Sequence, residues 1–242
     1  MGLLCSSPIE PRRYAVTESD LTPAGLAALA ERVRVVDTTA ISDRAGLTRV
    51  LTSAIALRSA AGFVCATAYT VRVRRDFFPL AWAVEHAPRG SVLVVDGGGE
   101  EFAYAGEIIA RGALARGLAG IIVDGGYRDI GYVRDCALPI YSRWITPFSR
   151  SGTELGEYEI PVTCGGVTVN PGDVVIADAE GIIVLDPAHA EAAVAGAHEV
   201  KAAEQRVLDR LAAGATLSDC VGLAEHAAEL AAGRSHRLGF TV

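Results

Sequence analysis

The sequence predicts an α/β fold with a mixed sheet and C-terminal helices, and three patterns along the chain lead to this class. Residues 91–129 run from an apolar strand through a helix into a second apolar strand, which is the βαβ unit of a parallel sheet. Residues 160–185 hold short β-branched segments separated by Asn-Pro-Gly-Asp and Asp-Ala-Glu-Gly turns, the pattern of antiparallel hairpins. From residue 187 the chain is rich in alanine and helical in period. One mixed α/β domain is therefore expected to carry the chemistry.

The chain before the βαβ unit predicts a leader, helices and one strand. Residues 1–22 are rich in proline and charge and are expected to form a flexible leader, so the domain is expected to span residues 23–242. A helix is predicted over residues 21–33 because Thr22 and Pro23 suit its N-cap and first turn. The other predicted elements are a helix entered through residues 37–44, a strand over residues 63–74 and a short helix over residues 79–86.

The composition excludes several classes of protein. The formal net charge is −7 and the pI is near 5.3, so no nucleic-acid partner is expected. The one basic run, residues 72–75, is interpreted as a solvated strand end. Five scattered cysteines without ligand spacing indicate reduced thiols in a cytoplasmic protein, not disulfides or a zinc site. No segment has the length of a transmembrane helix or the form of a signal peptide, so no membrane association is expected.

The glycines at residues 97–99, which follow the first strand of the βαβ unit, do not make a dinucleotide-binding motif. That motif needs glycines at its first, third and sixth positions, and the sixth position counted from Gly97 is Phe102. The sequence also has no P-loop and no HExxH, GxSxG or SxxK motif, and its five histidines show no ligand spacing. Nucleotide, zinc-protease and serine-nucleophile chemistries are therefore not expected.

Arg128 and Asp129, which follow the second strand, indicate a site for a small 2-oxo acid. A divalent cation stabilises the enolate that forms when a carbon–carbon bond of such an acid breaks, and hard cations prefer carboxylate oxygen. Asp129 supplies that oxygen, and the Arg128 guanidinium can hold a carboxylate or a developing oxyanion. A helix that begins near residues 106–107 offers backbone N–H groups to the substrate carboxylate. The sequence therefore predicts a metal-assisted enzyme.

Each of these residues also has an ordinary structural interpretation. Arg128 and Asp129 could form a simple turn pair, and Glu107 could pair with Arg111 one helical turn further on. Glu204, on the C-terminal helix, could lie on a solvated face. The residue types and spacings alone leave these alternatives open.

Several blocks of the sequence resemble the RraA-like family, which includes the class II 4-hydroxy-4-methyl-2-oxoglutarate/4-carboxy-4-hydroxy-2-oxoadipate aldolases. The resemblance extends from about residue 37 to residue 204, and its blocks are residues 39–43, 68–72, 106–107, 116–129, 161–167, 169–173 and 177–181. It implies a single swivelling β/β/α-type domain that assembles as homotrimers or homohexamers with active sites at subunit interfaces. It also implies an Mg²⁺- or Mn²⁺-dependent lyase that cleaves a 4-hydroxy-2-oxo acid to pyruvate and a second oxo acid.

The same resemblance implies roles for individual residues. Asp129 resembles the direct ligand of the metal ion, and Arg128 resembles the group that stabilises the substrate carbonyl and the enolate. Glu107 resembles the acidic residue that holds a metal-bound water, and Glu204 falls where a neighbouring subunit contributes an acid near the metal waters. The substrate carboxylate is expected to bind at the helix start formed by Gly106, Ile108 and Ile109.

Two departures from the family pattern bear on the substrate. The aldolases carry an acidic residue three places after the metal aspartate, where this chain has Tyr132. The family's Gly-Asp-Asn run appears here as Arg75, Asp76 and Phe77, and Phe77 and Phe78 are expected to make that side of the pocket apolar. These changes favour, as an alternative to the aldolase, a pathway-specific lyase or hydratase on another 2-oxo acid. Decarboxylation of oxaloacetate is a related expectation.

A non-enzymatic alternative comes from the regulator branch of the same family, which binds and inhibits a ribonuclease. That branch lacks the intact Arg-Asp pair, so Arg128 and Asp129 favour the enzyme. Metal dependence separates the two functions, because a chelator should abolish the activity of the enzyme and leave a binding protein unchanged.

Overall fold

The computed structural model describes residues 22–43, 48–150 and 155–235. Its helices are α1 (Pro23–Val33), α2 (Thr38–Ser42), α3 (Phe78–His86), α4 (Glu107–Arg116), α5 (Ile130–Val133), α6 (Pro187–Ala212), α7 (Leu217–Val221) and α8 (Leu223–Ala231). Its strands are β1 (Thr48–Val50), β2 (Ala56–Leu57), β3 (Val64–Arg72), β4 (Val92–Asp96), β5 (Ala103–Ala105), β6 (Gly120–Tyr127), β7 (Ile140–Ile145), β8 (Glu157–Tyr158), β9 (Val162–Cys164), β10 (Val167–Val169), β11 (Val174–Ala177) and β12 (Ile182–Leu185). Residues 1–21 of the predicted leader lie outside the described residues, so the leader and the domain boundary stay predictions.

The strands form one large mixed sheet beside a small separate hairpin. Within the described ranges, ten strands make the large sheet in the order β1-β12-β11-β3-β4-β6-β7-β2, with β5 paired to β6 and β8 paired to β3. Strands β3, β4, β6 and β7 are parallel, whereas β1, β12, β11 and β3 pair antiparallel. Strands β9 and β10 form the separate antiparallel hairpin. The predicted α/β class is therefore confirmed, with its mixed sheet, parallel βαβ unit and C-terminal helices.

Helices pack on the sheet in two groups. Helices α3 and α4 cover one part of the parallel strands, in a core that includes the buried side chains of Leu80, Leu93 and Ile121. Helices α1, α2 and α6 pack with β11 and β12 around the buried Leu29 and Ile41. The parallel strands β3, β4 and β6 end together at one edge of the sheet, which is where α/β proteins commonly place ligand sites.

Asp178, in the sequence block of residues 177–181, contacts the start of α2. Its carboxylate accepts hydrogen bonds from the Thr38 backbone N–H at 2.8 Å and from the Thr38 hydroxyl at 2.7 Å. It also accepts the backbone N–H groups of Glu180 and Gly181 within its own turn. Asp178 therefore joins the first residue of α2 to the turn between β11 and β12.

Strand β6 is longer than predicted. The apolar run in the sequence covers only residues 121–123 and is followed by Asp-Gly-Gly, which is typical of a turn, but β6 continues to Tyr127 and is buried throughout. A Cβ on Gly126 would lie 2.7 Å from the carbonyl oxygen of Phe102, and one on Gly125 would lie 2.6 Å from Cε2 of Tyr104. The glycines therefore make room for the unpredicted strand β5, which pairs beside them.

The basic run of residues 72–75 lies at the end of β3 and is partly solvated, as the sequence indicated, but two of its arginines also bind a buried carboxylate. Arg72 and Arg74 reach the buried carboxylate of Asp96 at 3.4 Å and 3.1 Å. Arg75 matches the interpretation better, because it is exposed and pairs with Glu100 at 2.7 Å. The register of β3 therefore directs two of these arginines towards the end of β4.

Helix α6 confirms the predicted C-terminal helix. Val207 is buried, whereas the neighbouring Leu208 is 56% exposed. Among the residues described, no helix is long and apolar enough to cross a membrane. The described cysteines are free thiols, namely Cys65, Cys136, Cys164 and Cys220.

Candidate functional site

Arg128 and Asp129 stand at the carboxyl end of β6, between that strand and the short helix α5. The Arg128 N–H donates to the carbonyl oxygen of Ala105 at 3.0 Å, which continues the pairing of β6 with β5. Asp129 then adopts φ 58° and ψ 40°, the left-handed conformation that non-glycine residues seldom occupy. Strained backbone of this kind is concentrated at functional sites.

The Asp129 carboxylate caps helix α4. Its Oδ2 accepts the backbone N–H of Glu107, the first residue of the helix, at 3.0 Å. The N-cap position itself is Gly106, which has no side chain to serve this purpose. A Cβ on Gly106 would lie 2.3 Å from the same Oδ2, so the contact requires glycine at this position. The capping interaction also fixes Asp129 beside the amides of the next two residues.

Five of the seven predicted site residues line one cavity of about 140 Å³, whereas Glu107 and Glu204 are not part of its wall. Its wall contains Gly106, Ile108, Ile109, Arg128 and Asp129, which the sequence predicted as site residues. The remaining lining residues are Phe77, Ala81, Tyr104, Ala105 and Ser149. The structure therefore brings the end of β6 and the start of α4 together around a space the size of a small organic acid.

Of the remaining lining residues, only Phe77 was expected from the sequence. Phe77 was expected to make the pocket apolar and does line it, whereas the neighbouring Phe78 is not part of the wall. Tyr104 was missed because it belongs to β5, a three-residue strand with no periodic pattern. Its hydroxyl donates to the carbonyl oxygen of Gly97 at 3.1 Å and accepts the Arg75 N–H at 3.3 Å. Only the tertiary pairing of β5 reveals this contribution.

Glu107 shows the pairing that the sequence offered as an alternative to a site role. Its Oε1 accepts the Arg111 Nε–H at 2.7 Å, one helical turn away. The Arg111 guanidinium in turn lies 4.3 Å above the centre of the Tyr132 ring. A hydrogen bond with the Cys136 thiol raises the pKa of Tyr132. Tyr132, which replaces the acidic residue of the family pattern, therefore serves as a platform for Arg111.

Glu204 lies on α6, among the helices that pack with β11 and β12. Its Oε2 is 3.1 Å from Nζ of Lys201, which also contacts Asp37 Oδ2 at 2.5 Å. It is not part of the wall of the Arg128–Asp129 cavity. The contribution of Glu204 from a neighbouring subunit stays a prediction.

The donor atoms around Asp129 fit a hard cation that keeps most of its water. Asp129 is partly exposed and uses Oδ2 for the Glu107 N–H, so Oδ1 remains available as a carboxylate oxygen. In the part of the chain that the structure describes, no three histidine, cysteine, aspartate or glutamate residues are close enough to hold an ion together. An Mg²⁺ or Mn²⁺ ion at Asp129 would therefore take its other ligands from water, substrate or another subunit.

Comparison with known proteins places the chain in one family. The family model described as RraA-like: Aldolase/RraA matches residues 32–184. A Halalkalibacterium halodurans protein named "Putative 4-hydroxy-4-methyl-2-oxoglutarate aldolase" is 37% identical over 155 residues, which are 63% of this chain and 73% of that protein.

Two solved structures share the fold. An unusual member of the RNase ES inhibitor RraA protein family from Streptomyces coelicolor superposes with a TM-score of 0.66 at 31% identity, covering 76% of this chain and 98% of the other. The RNA-processing inhibitor RraA from Thermus thermophilis gives a TM-score of 0.58 at 31% identity, over 62% and 92% of the two chains. With its matching sheet, sequence blocks and family model, the chain belongs to the RraA-like family.

Proposed function

We propose that the protein is a class II, divalent-metal-dependent carbon–carbon lyase that cleaves a 4-hydroxy-2-oxo acid to pyruvate and a second oxo acid. The observation that supports this proposal most directly is the convergence of Arg128, Asp129 and the start of α4 on one cavity of about 140 Å³. The name of the Halalkalibacterium halodurans relative points to the same reaction class. The proposed substrate partner is a small 2-oxo acid.

The start of α4 would bind the substrate carboxylate. The first intrahelical hydrogen bond runs from the Ala110 N–H to the Gly106 carbonyl oxygen at 3.0 Å, so the amides of Ile108 and Ile109 precede the helical ladder. Both residues line the cavity. The positive end of the helix dipole adds to the attraction of these two N–H groups for an anion.

Arg128 would stabilise the charge that forms during cleavage, and Glu107 would assist proton transfer. Cleavage removes the proton of the 4-hydroxyl group and breaks the C3–C4 bond, and the bonding electrons move into an enolate whose charge lies on the C2 oxygen. The Arg128 guanidinium, which lines the cavity, would hold that oxygen in a fixed geometry. Glu107 follows the lining residue Gly106 and pairs with Arg111, and its carboxylate would hold solvent for proton transfer. A cation bound at Asp129 would polarise the 2-oxo group as a Lewis acid.

The apolar part of the cavity wall supports a second enzymatic candidate. Its side chains are those of Phe77, Ala81, Ile108 and Ile109, and none of them can bind a further carboxylate. A pathway-specific lyase or hydratase acting on another 2-oxo acid would use the same charged groups. Oxaloacetate decarboxylation also needs only enolate stabilisation and fits the same groups.

A regulator function is the non-enzymatic candidate, because one relative is described as an RNA-processing inhibitor and another as an unusual member of the RNase ES inhibitor RraA protein family. The Arg128–Asp129 cavity favours the enzyme, since binding to a ribonuclease surface does not require a cation or an anion-binding cavity. The two functions differ in their response to a chelator.

The test is pyruvate release from 4-hydroxy-4-methyl-2-oxoglutarate and from oxaloacetate, measured with Mg²⁺, with Mn²⁺ and with EDTA. We expect metal-dependent turnover that Arg128→Ala lowers about 100- to 1000-fold, the scale of a lost oxyanion contact. The matched control is Arg134→Ala, because Arg134 is an exposed arginine of the adjacent helix end. Turnover that survives EDTA or Arg128→Ala would contradict the proposal, and turnover of neither acid would favour a different 2-oxo acid.

A further inference from the structure

A second cavity lies at the edge of the sheet where the parallel strands end, and the site above does not use it. It has a volume of about 600 Å³ and shares no lining residue with the Arg128–Asp129 cavity. Arg72 at the end of β3 and Asp96 at the end of β4 lie in its wall. Arg74, Asp124 and Arg143 complete its charged lining.

Two buried aspartates hold the arginines in place. Asp96 is 4% exposed and lies 3.1 Å from Nη1 of Arg74 and 3.4 Å from Nε of Arg72. Asp124 is 5% exposed, and its Oδ1 accepts the Arg143 Nε–H at 2.6 Å. Its Oδ2 accepts the backbone N–H of Gly165 at 2.7 Å. Because the carboxylate oxygens are occupied, they orient the guanidinium groups and leave little capacity to bind a cation.

Two of the three arginines in the cavity wall, Arg74 and Arg143, retain donors that the protein does not fully use. Arg143 uses Nε for Asp124, and in the described ranges its two terminal nitrogens donate to no protein atom. Arg74 uses Nη1 for Asp96 and for two carbonyl oxygens, while its Nη2 makes only a long contact of 3.4 Å to Asp96. A guanidinium held by a buried carboxylate loses little entropy when it binds a second anion.

Two glycines keep the space between these guanidinium groups open. Gly98 and Gly99 have φ 68° and 71°, a conformation that L side chains rarely adopt. A Cβ on Gly98 would point at Arg74 Cζ, 3.7 Å away, and a Cβ on Gly99 would point at Arg143 Nε, 3.5 Å away. The two arginines therefore flank the same turn from its two sides.

We infer that this cavity binds a small anion carrying two or more anionic oxygens, either a dicarboxylate or a phosphate. Two pre-oriented guanidinium groups match the planar oxygen pairs of carboxylates and phosphates. The cavity volume exceeds that of one such anion, so the ligand can enter with part of its hydration. The inference does not depend on the proposed lyase activity, because the two cavities have different walls.

The test is isothermal titration of the full chain with inorganic phosphate and, separately, with succinate, at constant ionic strength set by KCl. We expect saturable binding of at least one anion, and the two titrations decide between the phosphate and the dicarboxylate. Arg74→Gln should weaken binding about tenfold or more, because it removes a charged donor. Arg75→Gln is the matched control, since Arg75 is the next residue but pairs with Glu100 outside the cavity wall.

A second variant and a second signal distinguish a loss of anion binding from misfolding. Arg143→Lys keeps a cation beside Asp124 but removes the planar fork, and it should also weaken binding. The Trp144 indole donates to the carbonyl oxygen of Gly99 at 2.9 Å, so its fluorescence in a Trp82→Phe background should change with the same midpoint. No saturable binding of either anion to the folded chain would overturn the inference. Equal weakening by Arg75→Gln, or loss of binding in Arg128→Ala, would overturn it as well.

Discussion

The candidate site requires glycine at position 106, because a methyl group there would collide with the Asp129 carboxylate. The Gly106 φ of −161° is open to any residue, so the constraint is one of space. We expect Gly106→Ala to displace the Asp129 carboxylate, which lies 2.3 Å from the position of the new Cβ, and to lower turnover about 100-fold. The measurement is pyruvate release with Mg²⁺. Gly131→Ala is the control, because nothing lies within 4 Å of its Cβ position, and it should keep full activity.

Asp129 has a structural and a proposed chemical role, and two substitutions separate them. Asn at this position keeps an oxygen that can accept the Glu107 N–H but removes the charge, so Asp129→Asn should keep its stability and lose metal-dependent turnover. Asp129→Ala should lose turnover and also about 1 kcal/mol of stability, the usual cost of a lost cap. Urea unfolding and pyruvate release measure the two effects. Wild-type turnover in Asp129→Asn would exclude the proposed metal role.

At the scale of elements, an ion pair between Asp37 and Lys201 joins α2 to α6. Burial opposes ionisation of Asp37, but hydrogen bonds from Lys201, Thr39 and Ala40 outweigh it and lower the pKa of Asp37 to about 2, from 3.8. Because the pKa is lower in the folded state, the stabilisation is complete above about pH 4 and disappears as the pH falls towards 2. Both side chains are about one-third exposed, so solvent screening reduces the contribution to about 1 kcal/mol.

Lys201→Met should therefore flatten the pH dependence of stability in the acid range. The measurement is the free energy of unfolding at pH 5 and at pH 2.5, and the difference between them should be smaller in the variant by about 1 kcal/mol. Arg206→Met, at an exposed position on the same helix, should leave that difference unchanged. An identical pH dependence in wild type and Lys201→Met would show that this ion pair does not stabilise the fold.

At the scale of the whole molecule, exposed apolar side chains lie close to the candidate site. The side chains of Trp144, Ile145 and Phe148 are exposed. Ile145 also lines a cavity of about 370 Å³ whose wall includes Arg128 and Asp129. Exposed large apolar side chains beside a site can mark a protein interface. We propose that a second copy of the chain covers them in a homotrimer or homohexamer, and that the site is completed there.

Light scattering after size exclusion should then show a trimer or hexamer for the wild type. Ile145→Lys should shift the distribution towards monomers and lower turnover, because it introduces a charge at the proposed interface. Leu217→Lys is the control, since Leu217 is comparably exposed but belongs to α7, which packs against α6 and α8. A monomeric wild type with full activity would contradict the proposed assembly.

The candidate site was partly predictable from the sequence for a topological reason. Arg128 and Asp129 are polar residues after a buried strand, and Gly106 and Glu107 mark a helix start, so local patterns identify all four. Their mutual contact could not be read from the sequence, because 22 positions separate Glu107 from Asp129 and no periodic pattern links them. The role of Glu204 could not be read from the sequence either, because the site to which it is proposed to contribute lies in another subunit.

The sequence by itself determined the elements that depend on neighbours along the chain. Thr22 and Pro23 begin α1, the apolar strands of the βαβ unit form parallel neighbours, and the turn before β12 makes a hairpin. Only the tertiary structure decided what Gly125, Gly126 and the arginines after β3 do, because β5 and Asp96 approach them from distant positions. Local conformational preference acts within one turn or one strand, whereas close packing and ion pairing depend on which segments the sheet brings together.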